Sequence, residues 1–183
     1  MMTELSLNIL DITENSVKAG SKLTEITVEA KVSDNSLRVI IDDKGCGMSE
    51  EQVKKVIDPF YTTRTTRKVG LGVPFFRESA LSTGGSFDIK SKQGVGTTVT
   101  AVYRLDHIDR MPMGDICATI HTLVVMHDDV DFIFNYSLDD NGFRMDTREF
   151  REILGDISFK EPEVSNYIKE YLKENINQVG QIV

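Results

Sequence analysis

Three glycine-bearing stretches and one cationic cluster are the parts of this sequence that could do chemistry. The stretches are Asp43-Lys44-Gly45-Cys46-Gly47, Gly70-Leu71-Gly72 and Gly94-Val95-Gly96-Thr97. Glycine lets a backbone approach a phosphate or a base closely, because no side chain intervenes. Taken singly, each stretch is equally well a turn. Their spacing is not that of a Walker loop, since no G-x-x-x-x-G-K-[ST] occurs, and no G-x-G-x-x-G follows the first strand. Arg64, Arg67 and Lys68 lie within five residues, flanked by Thr62, Thr63, Thr65 and Thr66. Such a cluster is either a solvated loop or a short lid that meets phosphates through cations and hydroxyls. The lid reading is preferred because a glycine pair and a helix start follow at once, and a helix N-terminus attracts anions.

The elements that must position these residues are legible in the hydrophobic pattern. Leu5, Ile9, Ile12 and Ser16 recur at three- and four-residue steps, which predicts a helix from about Thr3 to Lys18. Asn8, Asp11, Asn15 and Lys18 recur at the same steps and are expected on one polar face of it. Ile26, Val28, Ala30 and Val32 alternate with polar residues as a half-buried strand, and Ser33 to Ser36 turns the chain into a second strand, Leu37 to Asp42. Ser49 with Gln52 makes a capping box for a short helix. Pro74 suits the first turn of a helix over about 74–82. Phe87 to Ser91 and Thr97 to Tyr103 read as two further strands.

Charge divides the chain more sharply than hydrophobicity does. Of 183 residues, 29 are acidic and 21 basic, a net charge of −8. Residues 1–104 hold 14 basic against 13 acidic side chains, and residues 105–183 hold 7 against 16. The asymmetry predicts two units with different tasks. The acidic balance argues against a nucleic-acid or anionic-membrane binder. Two cysteines, Cys46 and Cys117, cannot build a disulfide framework or a four-thiolate zinc site. No apolar run approaches the roughly 18 residues of a membrane span, and the acidic first residues lack a signal peptide's basic start. A soluble, reduced, cytoplasmic protein is expected.

Taken together, the polar helix and the glycine stretches resemble the GHKL superfamily (gyrase, chaperone, histidine kinase and MutL), the Bergerat-fold ATPases, over about residues 5–104. Asp11 to Gly20 looks like the asparagine box, and Asp43-x-Gly45-x-Gly47-Met48 like the first glycine box. Asp58 to Arg64 looks like the phenylalanine box of nitrogen-regulator histidine kinases. Gly70-Leu71-Gly72 and Gly94-x-Gly96-Thr97-Thr98 are similar to the later glycine boxes. The resemblance implies an α/β two-layer sandwich, a mixed sheet with helices on one face. The pattern of residues 105–183 is expected to form a small, acidic C-terminal α+β appendage, a partner or dimer contact.

It also implies ATP and magnesium as ligands. Asn15 would give its amide oxygen to the metal, with Lys18 on the same face. Asp43 would accept from the adenine amino group and repel a guanine carbonyl, helped by Thr97, and Gly45, Gly47 and Met48 would flank the base. Thr62, Thr63, Arg64, Lys68, Gly70, Leu71 and Gly72 would contact the phosphates, Arg64 also neutralising charge during transfer. Asp11 stands where hydrolysing members carry a glutamate base, so it is either a base or part of the metal's surroundings. Lys68-Val69 replaces the second box's leading glycine.

The second unit is less legible. Residues 113–126 are expected to be helical and Asp131 to Leu138 a strand, with a hairpin turn at Asp140-Asn141-Gly142 leading into Phe143 to Met145. Asp146 with Glu149 is expected to cap a helix to Leu154, and Pro162 to open a last helix to about Asn177. His107, with Arg110 and Pro112 following, echoes a phosphoacceptor box, although Ile108 stands where that box carries an acid. His121 and His127 lack metal-ligand spacing. The resemblance implies an ATP-binding signalling protein that transfers phosphate to, or gates, a protein partner. A slow MutL-like ATPase switch, an anti-sigma-like serine kinase and a non-catalytic nucleotide-gated module are its rivals. A homodimer is one further arrangement it leaves open.

Overall fold

The computed structural model describes residues 3–58 and 72–183. A helix, α1 (Leu5–Lys18), precedes the hairpin of β1 (Leu23–Lys31) and β2 (Ser36–Asp43). Two helices follow, α2 (Glu50–Val56) and α3 (Gly72–Leu81), then the hairpin of β3 (Ser86–Lys92) and β4 (Gly96–Arg104). The remaining elements are α4 (Ile116–Met126), β5 (Asp131–Leu138), β6 (Asn141–Asp146), α5 (Thr147–Leu154) and α6 (Pro162–Val179). The strands form one six-stranded sheet in the order β3-β4-β2-β1-β5-β6. It is mixed, because β1 runs parallel to β5 while the other neighbours are antiparallel.

Strand periodicity decides which side chains reach the core. Thr24, Ile26, Val28 and Ala30 of β1 and Leu37, Val39, Ile41 and Asp43 of β2 are buried, while Glu25, Glu29, Arg38 and Asp42 point the other way. Asp43 is therefore the last member of an inward-facing apolar row, and its carboxylate is carried under the helices by parity alone. The stripe of α1 that packs on this row, Leu5, Ile9 and Ile12, ends in Ser16.

The sheet runs on past residue 104. Phe132, Phe134 and Tyr136 of β5 continue the same buried cluster, covered by Ile120, Leu123 and Val124 of α4 and by Ile168, Leu172 and Ile176 of α6. Each such burial is worth about 1.5–3 kcal/mol. Among the described residues no helix is long and apolar enough to cross a membrane.

The expected elements form, with local differences. β1 ends at Lys31, and Val32 is 63% exposed: Asn35 turns the chain by donating its N–H to the Val32 carbonyl, which lifts Val32 off the sheet. The Ser49–Gln52 capping box is present in both directions. Asp146 caps α5 as expected, accepting from the Arg148 backbone N–H at 3.1 Å, but Glu149 takes no part in the cap and turns to Arg144.

Asp146 is buried and also receives the Arg148 and Arg144 guanidiniums at 2.6 and 3.0 Å. The Arg148 bond is the main reason its carboxyl is lowered to about 2. A lowered pKa adds stability above the unfolded carboxyl's value near 3.8 and loses it as pH falls toward 2. Asp146→Asn should therefore cost about 1–2 kcal/mol at neutral pH. In urea unfolding followed from pH 7 downward, mutant and parent should converge near pH 2.

Candidate functional site

Where the buried stripe of α1 meets the inward row of β2, two polar side chains touch. Ser16 Oγ donates to Asp43 Oδ2 at 2.8 Å. The other carboxylate oxygen, Oδ1, accepts the Gly45 N–H at 2.9 Å and the Thr97 N–H at 3.2 Å. Asp43 is only 6% exposed, and a buried carboxylate is tolerable only when its oxygens are satisfied. Asn15, the residue before Ser16, is exposed beside this corner.

The glycines hold the loop after β2 against the β3–β4 hairpin. Gly47 has φ +66°, and a Cβ there would lie 2.0 Å from the Lys92 carbonyl oxygen. Gly96 has φ +137°, and a Cβ there would lie 1.9 Å from the Asp43 carbonyl oxygen. Both demands are set by close backbone approach. The contact is fastened by the Gly94 N–H donating to the Cys46 carbonyl and the Met48 N–H donating to Ser91 Oγ. Thr97 helps Asp43 through its backbone N–H, while its hydroxyl pairs with Ser91 Oγ at 2.8 Å. At the lip, Lys44 is held by the Asp42 carboxylate, and that bond raises its pKa.

Asp11 and Asn15 converge on the start of α3. A Cβ on Gly72 would fall 1.8 Å from Asp11 Oδ2 and 3.9 Å from Asn15 Nδ2. Their oxygens are donors of the hard type that magnesium takes, so the residues present fit that metal. Lys18 is exposed and 3.9 Å from Glu14. Asn8 does not join this face. It is buried, donating to the Glu4 carbonyl and meeting Met111 Sδ, because residues 111–113 lie along the first turn of α1. Thr62, Thr63, Arg64, Arg67, Lys68, Gly70 and Leu71, expected at the phosphates, lie outside the described residues, as does most of the phenylalanine-box stretch.

His107 lies in a turn, where its Nδ1 accepts the Asp109 N–H at 3.2 Å. His127, at the C-cap of α4, bonds Glu14 of α1 at 2.6 Å. Ser16 is the residue that periodicity alone misread, as one more member of the packing stripe. Its signal was a hydroxyl at the open end of an apolar row, next to an asparagine.

Three variants follow from these contacts. Gly47→Ala combines left-handed φ with a backbone clash and should lose about 2–3 kcal/mol. Gly94→Ala, with φ +75° and nothing within 4 Å, should lose only about 1 kcal/mol. Ser16→Ala should cost about 1–2 kcal/mol by removing a donor from a buried carboxylate. Urea denaturation of the three variants against the parent measures each difference.

Residues 3–108 match the family described as histidine kinase-, DNA gyrase B- and HSP90-like ATPase. The signal transduction histidine-protein kinase AtoS of Escherichia coli is 32% identical over 95 residues, which are 51% of this chain and 16% of that protein. The histidine protein kinase DivJ of Caulobacter vibrioides is 30% identical over 96 residues, 50% of this chain and 16% of that protein. The chain thus spans about one sixth of the length of these curated relatives. Among solved structures, the N-terminal domain of a DNA repair protein superposes with a TM-score of 0.54 at 13% identity. That superposition covers 79% of this chain and 52% of the other, a likeness of fold that extends beyond the first 108 residues. With the matched stretch taking in α1, both glycine-lined loops and Asp43, the chain belongs to the family of histidine kinase-, gyrase- and HSP90-like ATPases.

Proposed function

We propose that this chain binds Mg-ATP between α1, the loop after β2 and the start of α3, and that it passes the γ-phosphate to a partner protein or gates that partner by its nucleotide state. The observation that carries this reading is the lone-pair count at Asp43. A carboxylate offers about four acceptor sites, and Ser16, Gly45 and Thr97 use three of them. The remaining site on Oδ2 suits one N–H donor, as the adenine amine supplies, and repels a carbonyl. Asn15 would hold magnesium through a neutral oxygen, adding no negative charge beside the phosphates. Magnesium, when bound, neutralises phosphate charge. Arg64, Lys68, Thr62 and Thr63 are assigned to the phosphates, with Gly70, Leu71 and Gly72 bringing up the N-terminus of α3. Such transfer is mostly positioning and charge neutralisation.

The contact of Asp11 with Gly72 favours a role for Asp11 beside the metal or in seating α3, over that of a general base. Transfer to a partner is accordingly preferred to hydrolysis. His107 is the less favoured acceptor, since it sits in a turn facing its own Asp109.

Calorimetry with Mg-ATP and with Mg-GTP tests the site. ATP should bind and GTP should not. Asp43→Asn should weaken ATP binding at least tenfold, about 1.4 kcal/mol or more, and Asn15→Ala should remove the dependence on magnesium. Incubation with γ-labelled ATP then separates the chemistries. Free phosphate lost on Asp11→Ala would support the hydrolytic switch, an acid-labile protein label transfer to histidine, and an acid-stable label transfer to serine. No heat with Mg-ATP would sink the proposal.

A further inference from the structure

The face built by α5 and α6 lies apart from the nucleotide corner and takes no part in the reading above. Phe150 of α5 stands edge-on to Tyr167 and Tyr171 of α6, with ring centroids 6.2 and 5.4 Å away. Tyr167 is nevertheless 61% exposed, and Ile153, one helical step from Phe150, is 82% exposed. Contiguous aromatic and branched aliphatic surface of this kind marks an interaction site more often than a bare surface.

Carboxylates predominate on the α6 side of it. Glu163, Tyr167, Glu170, Tyr171 and Glu174 follow three- and four-residue steps and share one stripe of α6. Glu149 borders the same aromatic group from α5. The proximity of Glu149 is felt at Tyr171, whose pKa is raised first by burial and then by that carboxylate. Among the described residues, Glu149 has one distant ion pair, to Arg144 at 3.8 Å, and Glu152, Glu163, Glu170 and Glu174 have none. The lysines of α6, Lys169 and Lys173, leave this face altogether and line the cleft against the start of α4.

An apolar centre inside a rim of uncompensated carboxylates selects its occupant. Nucleic acid and anionic lipid are repelled, and a second copy docking through the same patch would set one acidic rim against another. A protein segment with lysine or arginine around an aliphatic or aromatic centre is matched in both respects. We infer that the α5–α6 face is a docking surface for a basic, apolar segment of a partner protein, anchored on Tyr167 and Ile153 and bordered by Glu163, Glu170 and Glu174. The inference stands independently of nucleotide binding.

The probe is a synthetic amphipathic helix of leucine and lysine carrying one tryptophan, titrated with the full chain and compared with its leucine–glutamate counterpart. The chain has no tryptophan, so the fluorescence reports the peptide alone. The lysine peptide should bind saturably, and more weakly as salt rises. Ile153→Ser with Tyr167→Ser should weaken it at least tenfold. Glu163→Gln with Glu170→Gln should weaken it about threefold and flatten the salt dependence. All four positions are exposed or on the surface stripe, and circular dichroism confirms that the variants stay folded. Equal binding of the two peptides would overturn the inference, as would indifference to the Ile153 and Tyr167 changes. So would self-association of the parent chain that Ile153→Ser abolishes, which would make a second copy the occupant.

Discussion

The Asp43 carboxylate is the point on which this corner of the molecule depends. A charge placed at the end of an apolar strand row is costly unless its oxygens are paired, and the pairing comes from three separate parts of the chain. Ser16 reaches it from α1, Gly45 from the loop that follows β2, and Thr97 from β4. Satisfying one carboxylate thus fixes a helix, a loop and a hairpin relative to one another. The glycines serve the same constraint. Gly96 lets β4 begin against the Asp43 carbonyl, and Gly47 lets the loop close on Lys92. Without those approaches the Thr97 and Gly45 amides could not both face Oδ1.

The acidic C-terminal segment enters this arrangement from behind. The Leu5 and Ser6 N–H groups, free donors at the start of α1, are taken by the Pro112 and Met113 carbonyls. At the other end of the helix His127 holds Glu14, the residue before Asn15. α1 is therefore fastened at both ends by residues beyond 104, and β5 completes the sheet beneath it by pairing with β1. The polar face that carries Asp11 and Asn15 is presented by a helix with little freedom to shift, which is what a preorganised site requires.

Much of this was legible in the sequence because it is local. Alternation places the strands and three- and four-residue steps place the helices, but Asp43, read as the start of the glycine loop, is in fact the last inward residue of β2. What local pattern could not reveal is pairing between distant segments. Asn8 has the spacing of the polar face, yet the 111–113 segment folds over it, and no periodicity within α1 encodes that neighbour. Nor does any feature of β5 alone announce β1 as its parallel partner. Ser16 was misread for a different reason. A small hydroxyl at a stripe position has two meanings, packing or donation, and only the arrival of Asp43 from another strand decides between them.

The unequal distribution of charge is consistent with these positions. A site for a polyanion works against a surplus of carboxylates nearby, and the first 104 residues are nearly neutral, with Arg64, Arg67 and Lys68 close together in sequence before α3. Five of the 16 acids beyond residue 104, Glu149, Glu152, Glu163, Glu170 and Glu174, lie exposed on α5 and α6. Charges in solvent separated by more than a Debye length, about 8 Å at physiological ionic strength, are largely screened from one another. On the reading proposed above, one end of the sheet takes a polyanion and the other a basic segment, and the segment between β4 and β5 joins them by fastening α1.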